Sequence, residues 1–182
     1  MGALTATDPV DWRDEIFAVL KRAEIRQVGY VPDAGHKRLI ELCIADREMR
    51  AVVLSTEEEG IGLAAGAWLG GMRGALLMQS SGVGNCINHL GTVRECRFPL
   101  LMLVTMRGQK GEFNPWQVPM GQATPTVLEA MGVVVHEANS AEEIAPTVDA
   151  AARLAFGSYQ AVAVLISQSV IGIKSFQDQA AR

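Results

Sequence analysis

AVVLSTEEEGIGLAAGAWLGGMRGALLMQ, residues 51–79, decides the fold. AVVL (51–54) is a short apolar run, a buried strand. Three carboxylates, Glu57, Glu58 and Glu59, then open a helix, and no residue from Gly60 to Gly71 carries a charge. GALLMQ (74–79) is a second apolar run. Strand, helix and strand in succession, with strands that are apolar without alternation, predict a parallel sheet covered on both faces.

The same alternation extends in both directions. Asp8-Pro9 predicts a helix start, with Asp as N-cap and Pro in the first turn, running to about Arg22. Residues 1–7 read as loose. IRQVGYVP (25–32) reads as a strand entering a proline turn. GHKRLIELCIADR (35–47) carries a helical stripe at 39, 40, 43 and 44. VGNCINHLGTVREC (83–96) predicts a helix behind the loop QSSGVGN (79–85), and FPLLMLVTM (98–106) is the strongest strand. A polar segment rich in Gly and Pro covers 107–125, and irregular segments of this length in compact domains are often functional. A short helix over 126–131, a strand at 132–138, a helix opened by the capping box SAEE (140–143) and a strand at 161–168 complete the pattern. The tail after Lys174 reads as frayed. The expectation is an α/β three-layer sandwich with a mainly parallel, about six-stranded sheet of flavodoxin-like type. It forms one domain over 1–182, with its core at about 8–173.

Bulk properties bound the function. The 182 residues suffice for one full core. Hydrophobic residues make up 49% and aromatics 5%, so the apolar content is aliphatic and small, and part of it is expected against a partner. The net charge of −4, with no basic stretch, argues against nucleic acid. No apolar run nears the roughly 20 residues that span a bilayer. Acids near the N-terminus argue against a secretory signal. Three cysteines without CxxC spacing read as reduced thiols of a cytoplasmic protein.

Ligands in such sheets bind at the carboxyl ends of the strands, here at 32–36, 55–57, 79–84, 107–119 and 136–139. Periodicity leaves the three acids of the central helix nearly tied and favours solvent, since carboxylates suit a helix N-terminus. The alternative is one carboxylate turned into a cleft for proton exchange. A helix uncharged on every face predicts a subunit interface. QSSGVGN reads equally as an anion-binding loop or as a packing turn. His36 sits in a strand-end loop, His89 mid-helix and His136 at a strand end. No pair has metal-ligand spacing, so no metal is expected on this chain. Arg107 and Lys110 are either solvated or poised toward an anionic substrate.

Several of these pieces together resemble a known family. Glu57, Ala64 and Gly66 form E-x6-A-x-G, which resembles the pyrimidine-binding domain of thiamine-diphosphate enzymes. MQSSGVGNCIN (78–88) is similar to the MQNSGLGNxIN segment of phosphonopyruvate and sulfopyruvate decarboxylases, with Ser80 in place of Asn. VPD (31–33), MRG (106–108) and QVPMGQATPTVLEAMGV (117–133) extend the resemblance to the alpha subunit of the sulfopyruvate enzymes, whereas GQKGEFNPW (108–116) does not match.

The resemblance implies the following. Glu57 hydrogen-bonds N1′ of the cofactor's aminopyrimidine and so activates it for attack on a 2-oxo acid. CO2 then leaves because the thiazolium takes up the electrons. Pro32, Ser80, Ser81, Gly82 and Asn85 join Glu57 at thiamine diphosphate. Asp33, His36, Lys37, Arg107, Lys110 and Gln117 are candidates for the substrate, a sulfopyruvate-like small anionic 2-oxo acid. The family binds Mg2+ and the diphosphate on a second domain bearing a GDG motif. The chain has no GDG, so a beta subunit is expected to supply that site in a hetero-oligomeric lyase, with homo-oligomers of little or no activity if the chain is isolated. A carboligase subunit trapping the same intermediate with an aldehyde, or a non-catalytic regulatory subunit of the same fold, are the alternatives.

Overall fold

The computed structural model describes residues 11–172. The Asp8-Pro9 start, the loose residues 1–7 and the tail after Lys174 lie outside them. Six strands, β1 (Ile25–Tyr30), β2 (Arg50–Val53), β3 (Arg73–Gln79), β4 (Leu100–Thr105), β5 (Val134–Ala138) and β6 (Ala161–Ile166), form one sheet. Its order is β2-β1-β3-β4-β6-β5, and every pairing is parallel rather than merely most of them. Among the described residues seven helices alternate with the strands: α1 (Trp12–Arg22), α2 (Lys37–Ala45), α3 (Glu57–Leu69), α4 (Ser80–Cys96), α5 (Gln117–Ala130), α6 (Ala141–Ser158) and the single turn α7 (Gln168–Ile171).

Each face of the sheet carries its own core. Ile16 and Leu20 of α1, Leu39 of α2 and Ile144 and Val148 of α6 cover one face. Ile61 of α3, Val83 and Leu90 of α4 and Leu128 of α5 cover the other. β4 and β6 are buried at every position, which is why their sequences are apolar without alternation. Each Leu, Ile, Val or Met among them contributes about 2 kcal/mol of burial. Of the three layers, the α3 side has a helix that is apolar but not covered all round. Ile61, Ala64 and Ala67 are buried, whereas Leu69 is 87% exposed and a Cβ on Gly62 or Gly66 would meet nothing within 4 Å.

The first described helix is capped by Asp11, whose carboxylate accepts the Arg13 N–H. Two boundaries differ from the sequence reading. QSSGVGN is not a loop, because α4 already begins at Ser80. The irregular segment after β4 ends at Trp116 rather than 125, and α5 carries Pro125 inside it. The residue before a proline is biased away from helix, but packing overrides that bias here. Gly121 lies so close to the Arg107 carbonyl that a Cβ would meet its oxygen at 2.0 Å, which seats α5 against the end of β4.

β1 is followed by α2 on one face, and β3 by α4 on the other. The sheet therefore opens a crevice between the carboxyl ends of β1 and β3, at the point where the chain reverses its direction of winding.

Candidate functional site

Asp33 stands at this crevice. Its Oδ2 accepts the backbone N–H of Gly35 (3.1 Å) and of His36 (3.3 Å) and the Thr105 hydroxyl (2.6 Å), and its Oδ1 accepts Nε2 of Gln79 (3.1 Å). An aspartate that shapes the turn after β1 is thus tied to the last residues of β3 and β4. Gln79 continues the chain of contacts: its Oε1 accepts the Ser81 hydroxyl at 2.9 Å and faces Nε2 of Gln117 at 3.5 Å. Asp33, Ser81 and Gln117 therefore meet through Gln79, a residue the sequence reading did not single out. The signal was its place as the last residue of the strand at the reversal point. Pro32 is exposed beside them at the end of β1.

Glu57 is the first residue of α3, and it is 8% exposed, whereas Glu58 and Glu59 face solvent. Glu59 folds back so that its Oε2 accepts the Ser55 N–H at 2.8 Å, a local cap. Glu57 turns toward α4. Its Oε2 accepts Nδ2 of Asn85 at 2.8 Å, and no hydrogen bond reaches Oε1 among the described residues. Gly82 makes this possible, since a Cβ there would stand 2.3 Å from the Glu57 carboxyl carbon. His89, one turn beyond Asn85, donates its ring N–H to the Glu58 carbonyl at 3.1 Å and fixes the start of α3 against α4. Beneath them, Cys86 is pushed up to about 12 by burial, with the Glu57 charge adding to the effect, so it stays a thiol.

Other candidates lie elsewhere than at the crevice surface. His36 is fully buried, with Nε2–H donated to the Leu103 carbonyl at 3.1 Å and Nδ1 without a partner. Burial lowers its pKa to about 4, against the pull of Asp33 and with Arg13 assisting. It is a neutral core imidazole and has no charge to offer an anion. The Ser80 hydroxyl is also fully buried and accepts the Arg107 N–H at 3.0 Å, so it joins α4 to β4 rather than facing a ligand. Arg107 is not free: its Nε and Nη2 grip Glu112 at 2.6 and 2.5 Å. That guanidinium, with the Asn114 and Gly108 N–H groups, holds the Glu112 carboxyl down at about 2 against its burial. Lys37 is largely exposed and 4.0 Å from Glu41.

Two hollows flank the Arg107–Glu112 pair. A small one of about 30 Å³ is lined by Asp33, Gln79, Thr105, Arg107 and Gln168. A cleft of about 510 Å³ lies on the other side, between α5 and the ends of β5 and β6, with Lys110, Glu112, Gln122 and Glu137 in its walls. Among the described residues no group of three or more His, Cys, Asp or Glu could hold a metal ion. Among them, too, no helix is long and apolar enough to cross a membrane. Cys43, Cys86 and Cys96 form no disulfide.

These residues suit an aminopyrimidine: a buried carboxylate fixed by one oxygen, the other left for a ring nitrogen, and a wall without a Cβ beside it. Comparison with known proteins points the same way. Residues 11–113 match the family profile "Thiamine pyrophosphate enzyme, N-terminal TPP binding domain". The chain is 35% identical over 161 residues to the sulfopyruvate decarboxylase subunit alpha of Methanothermobacter thermautotrophicus, covering 88% of this chain and 98% of the relative. It is 34% identical over 117 residues to the phosphonopyruvate decarboxylase of Streptomyces viridochromogenes, covering 63% of this chain but 30% of that protein. Among solved structures, the 2-oxoglutarate:ferredoxin oxidoreductase from Magnetococcus marinus superposes with a TM-score of 0.70 at 14% identity, over 88% of this chain and 29% of that one, a likeness of fold.

Proposed function

Because the chain belongs to the thiamine pyrophosphate enzyme family through its N-terminal TPP binding domain, we propose that it is the alpha subunit of a split 2-oxo acid decarboxylase, a carbon–carbon lyase acting on sulfopyruvate or a similar small anionic 2-oxo acid. The observation that carries this reading is Glu57, turned inward from a helix start with one oxygen on Asn85 and the other open. Thiamine diphosphate, when bound, supplies the carbanion chemistry and the electron sink that let CO2 leave.

The chain's own residues supply binding and proton control. Glu57 holds the aminopyrimidine at Oε1 and exchanges a proton there. Asn85 keeps the carboxylate from rotating, and Gly82 keeps the space beside it clear. Ser81 and Gln79 line the approach, and Pro32 borders it. Asp33 and Gln117, joined through Gln79, are assigned to the reacting acid. Mg2+ and the diphosphate are assigned to a beta subunit, a reading supported by the relatives named as alpha subunits. The uncovered, uncharged side of α3 is the surface proposed for that subunit.

The test is co-expression with a chain carrying GDG, followed by assay of 2-oxo acids with thiamine diphosphate and Mg2+. Glu57→Gln is expected to abolish CO2 release. Full activity in that variant would sink the mechanism. Product analysis with an added aldehyde separates decarboxylation from carboligation.

A further inference from the structure

The segment after β4 is folded around one carboxylate. Only 1% of the Glu112 side chain is exposed, and it accepts five N–H groups: Nε and Nη2 of Arg107, the backbone of Gly108 and Asn114, and Nε2 of Gln168. Gln168 is itself pinned, because its N–H and its Oε1 both bond Gln109. A guanidinium presents five N–H groups in a rigid plane. Glu112 takes one edge of that plane. The Phe113 ring lies 5.8 Å from Arg107 Cζ. The edge at Nη1 makes no hydrogen bond among the described residues.

Glu112 borders the large cleft, whereas Arg107 borders the small hollow with Asp33, Gln79 and Thr105. Gln168, which bonds Glu112, borders the hollow as well. At about 30 Å³ the hollow has roughly one water's share of space. It takes the tip of a head group, not a whole 2-oxo acid.

We propose that the free edge of Arg107 binds the terminal anionic group of the substrate, a sulfonate or phosphonate, and that Glu112 is the positioning residue that aims it. The inference rests on the decarboxylase reading above. Glu112 cancels much of the charge of Arg107, so the pair works by geometry. A guanidinium already fixed on one side loses little freedom when its other edge closes on an oxyanion. Asp33 shares the hollow and repels an anion, which steers the head group toward Arg107. The other cations named as candidates do not line the hollow: His36 is neutral and buried, Lys37 is exposed beside Glu41, and Lys110 lines the far cleft.

The test uses the chain assembled with its partner. Sulfoacetate, an unreactive sulfonate with a carboxylate, is titrated calorimetrically into wild type, Arg107→Lys and Glu112→Gln. Steady-state constants for sulfopyruvate are measured alongside. Arg107→Lys is expected to weaken sulfoacetate at least about 10-fold and to raise KM for sulfopyruvate similarly while kcat holds within about 3-fold. Glu112→Gln is expected to do the same to a smaller extent. Wild type that does not bind sulfoacetate, unchanged binding in Arg107→Lys, or a loss confined to kcat overturns the proposal. A wild-type complex that binds sulfoacetate through Arg107 yet releases no CO2 overturns the decarboxylase reading instead.

Discussion

Glu57 and Glu58 are neighbours on α3, and one step along a helix turns a side chain by about 100°. That rotation sends one carboxylate to Asn85 and the other to water. Exchanging Glu58 or Glu59 for Gln should leave CO2 release within about 3-fold of wild type in steady-state assays, in keeping with small effects at exposed sites. Gly82→Ala should cost at least about 100-fold with circular dichroism unchanged, because its methyl occupies the carboxylate's place, and a misplacement of about 1 Å can cost that much. An unimpaired Gly82→Ala enzyme would show that Glu57 does not work from this position. Periodicity could not separate the three acids, since it gives no direction to the first turn of a helix whose every face is apolar. The E-x6-A-x-G spacing distinguished Glu57. The fates of His36 and Arg107 were not legible, because both depend on residues distant in sequence or unremarkable in type. Leu103 meets His36 across 67 positions, and Glu112 sits in GQKGEFNPW, which carried no part of the resemblance.

Elements were legible where apolar runs were long and were misjudged where Gly or Pro was taken as punctuation. β4 and β6 are where their composition puts them. α4 was started too late because Ser80 and Gly82 look like turn residues, yet each points inward at a specific neighbour, the Arg107 N–H and Glu57. α5 was started too late because Pro119 and Pro125 look like breakers, yet Pro119 lies in the first turn, where a helical N–H has no partner anyway. On α3 the uncovered face can be tested as an element. Gly66→Lys meets no obstacle in the isolated chain and replaces a poor helix former, so thermal melting should be unchanged or raised. The same change should block assembly with the partner in size-exclusion chromatography. Normal assembly would place the partner elsewhere.

At the scale of the whole molecule, acid stability follows from two buried groups. His36 has its folded pKa lowered to about 4 by burial, so between pH 6.5 and 4 the unfolded chain takes up a proton that the native chain refuses. Stability is full above 6.5 and falls with pH through this window, on the order of 3 kcal/mol in all. Glu112, held at about 2 by Arg107, adds stability that is present above 4.5 and is lost as pH falls toward 2. Melting curves should show both stages, and His36→Gln should flatten the upper one while leaving the lower. Equal slopes in wild type and variant would remove His36 from the account.

The sheet order also sets a timetable. α1 packs on α2 and on α6, so the core that Ile16 and Leu20 join is complete only when residues 141–158 arrive. A ribosome adds about 5–20 residues per second, so α1 waits on the order of 10 s with part of its apolar side uncovered. Chains released before α6 should therefore precipitate or bind holdase chaperones, while chains released after β6 should stay in solution. α1, which precedes every strand of the sheet, is among the last elements to be fully sheltered.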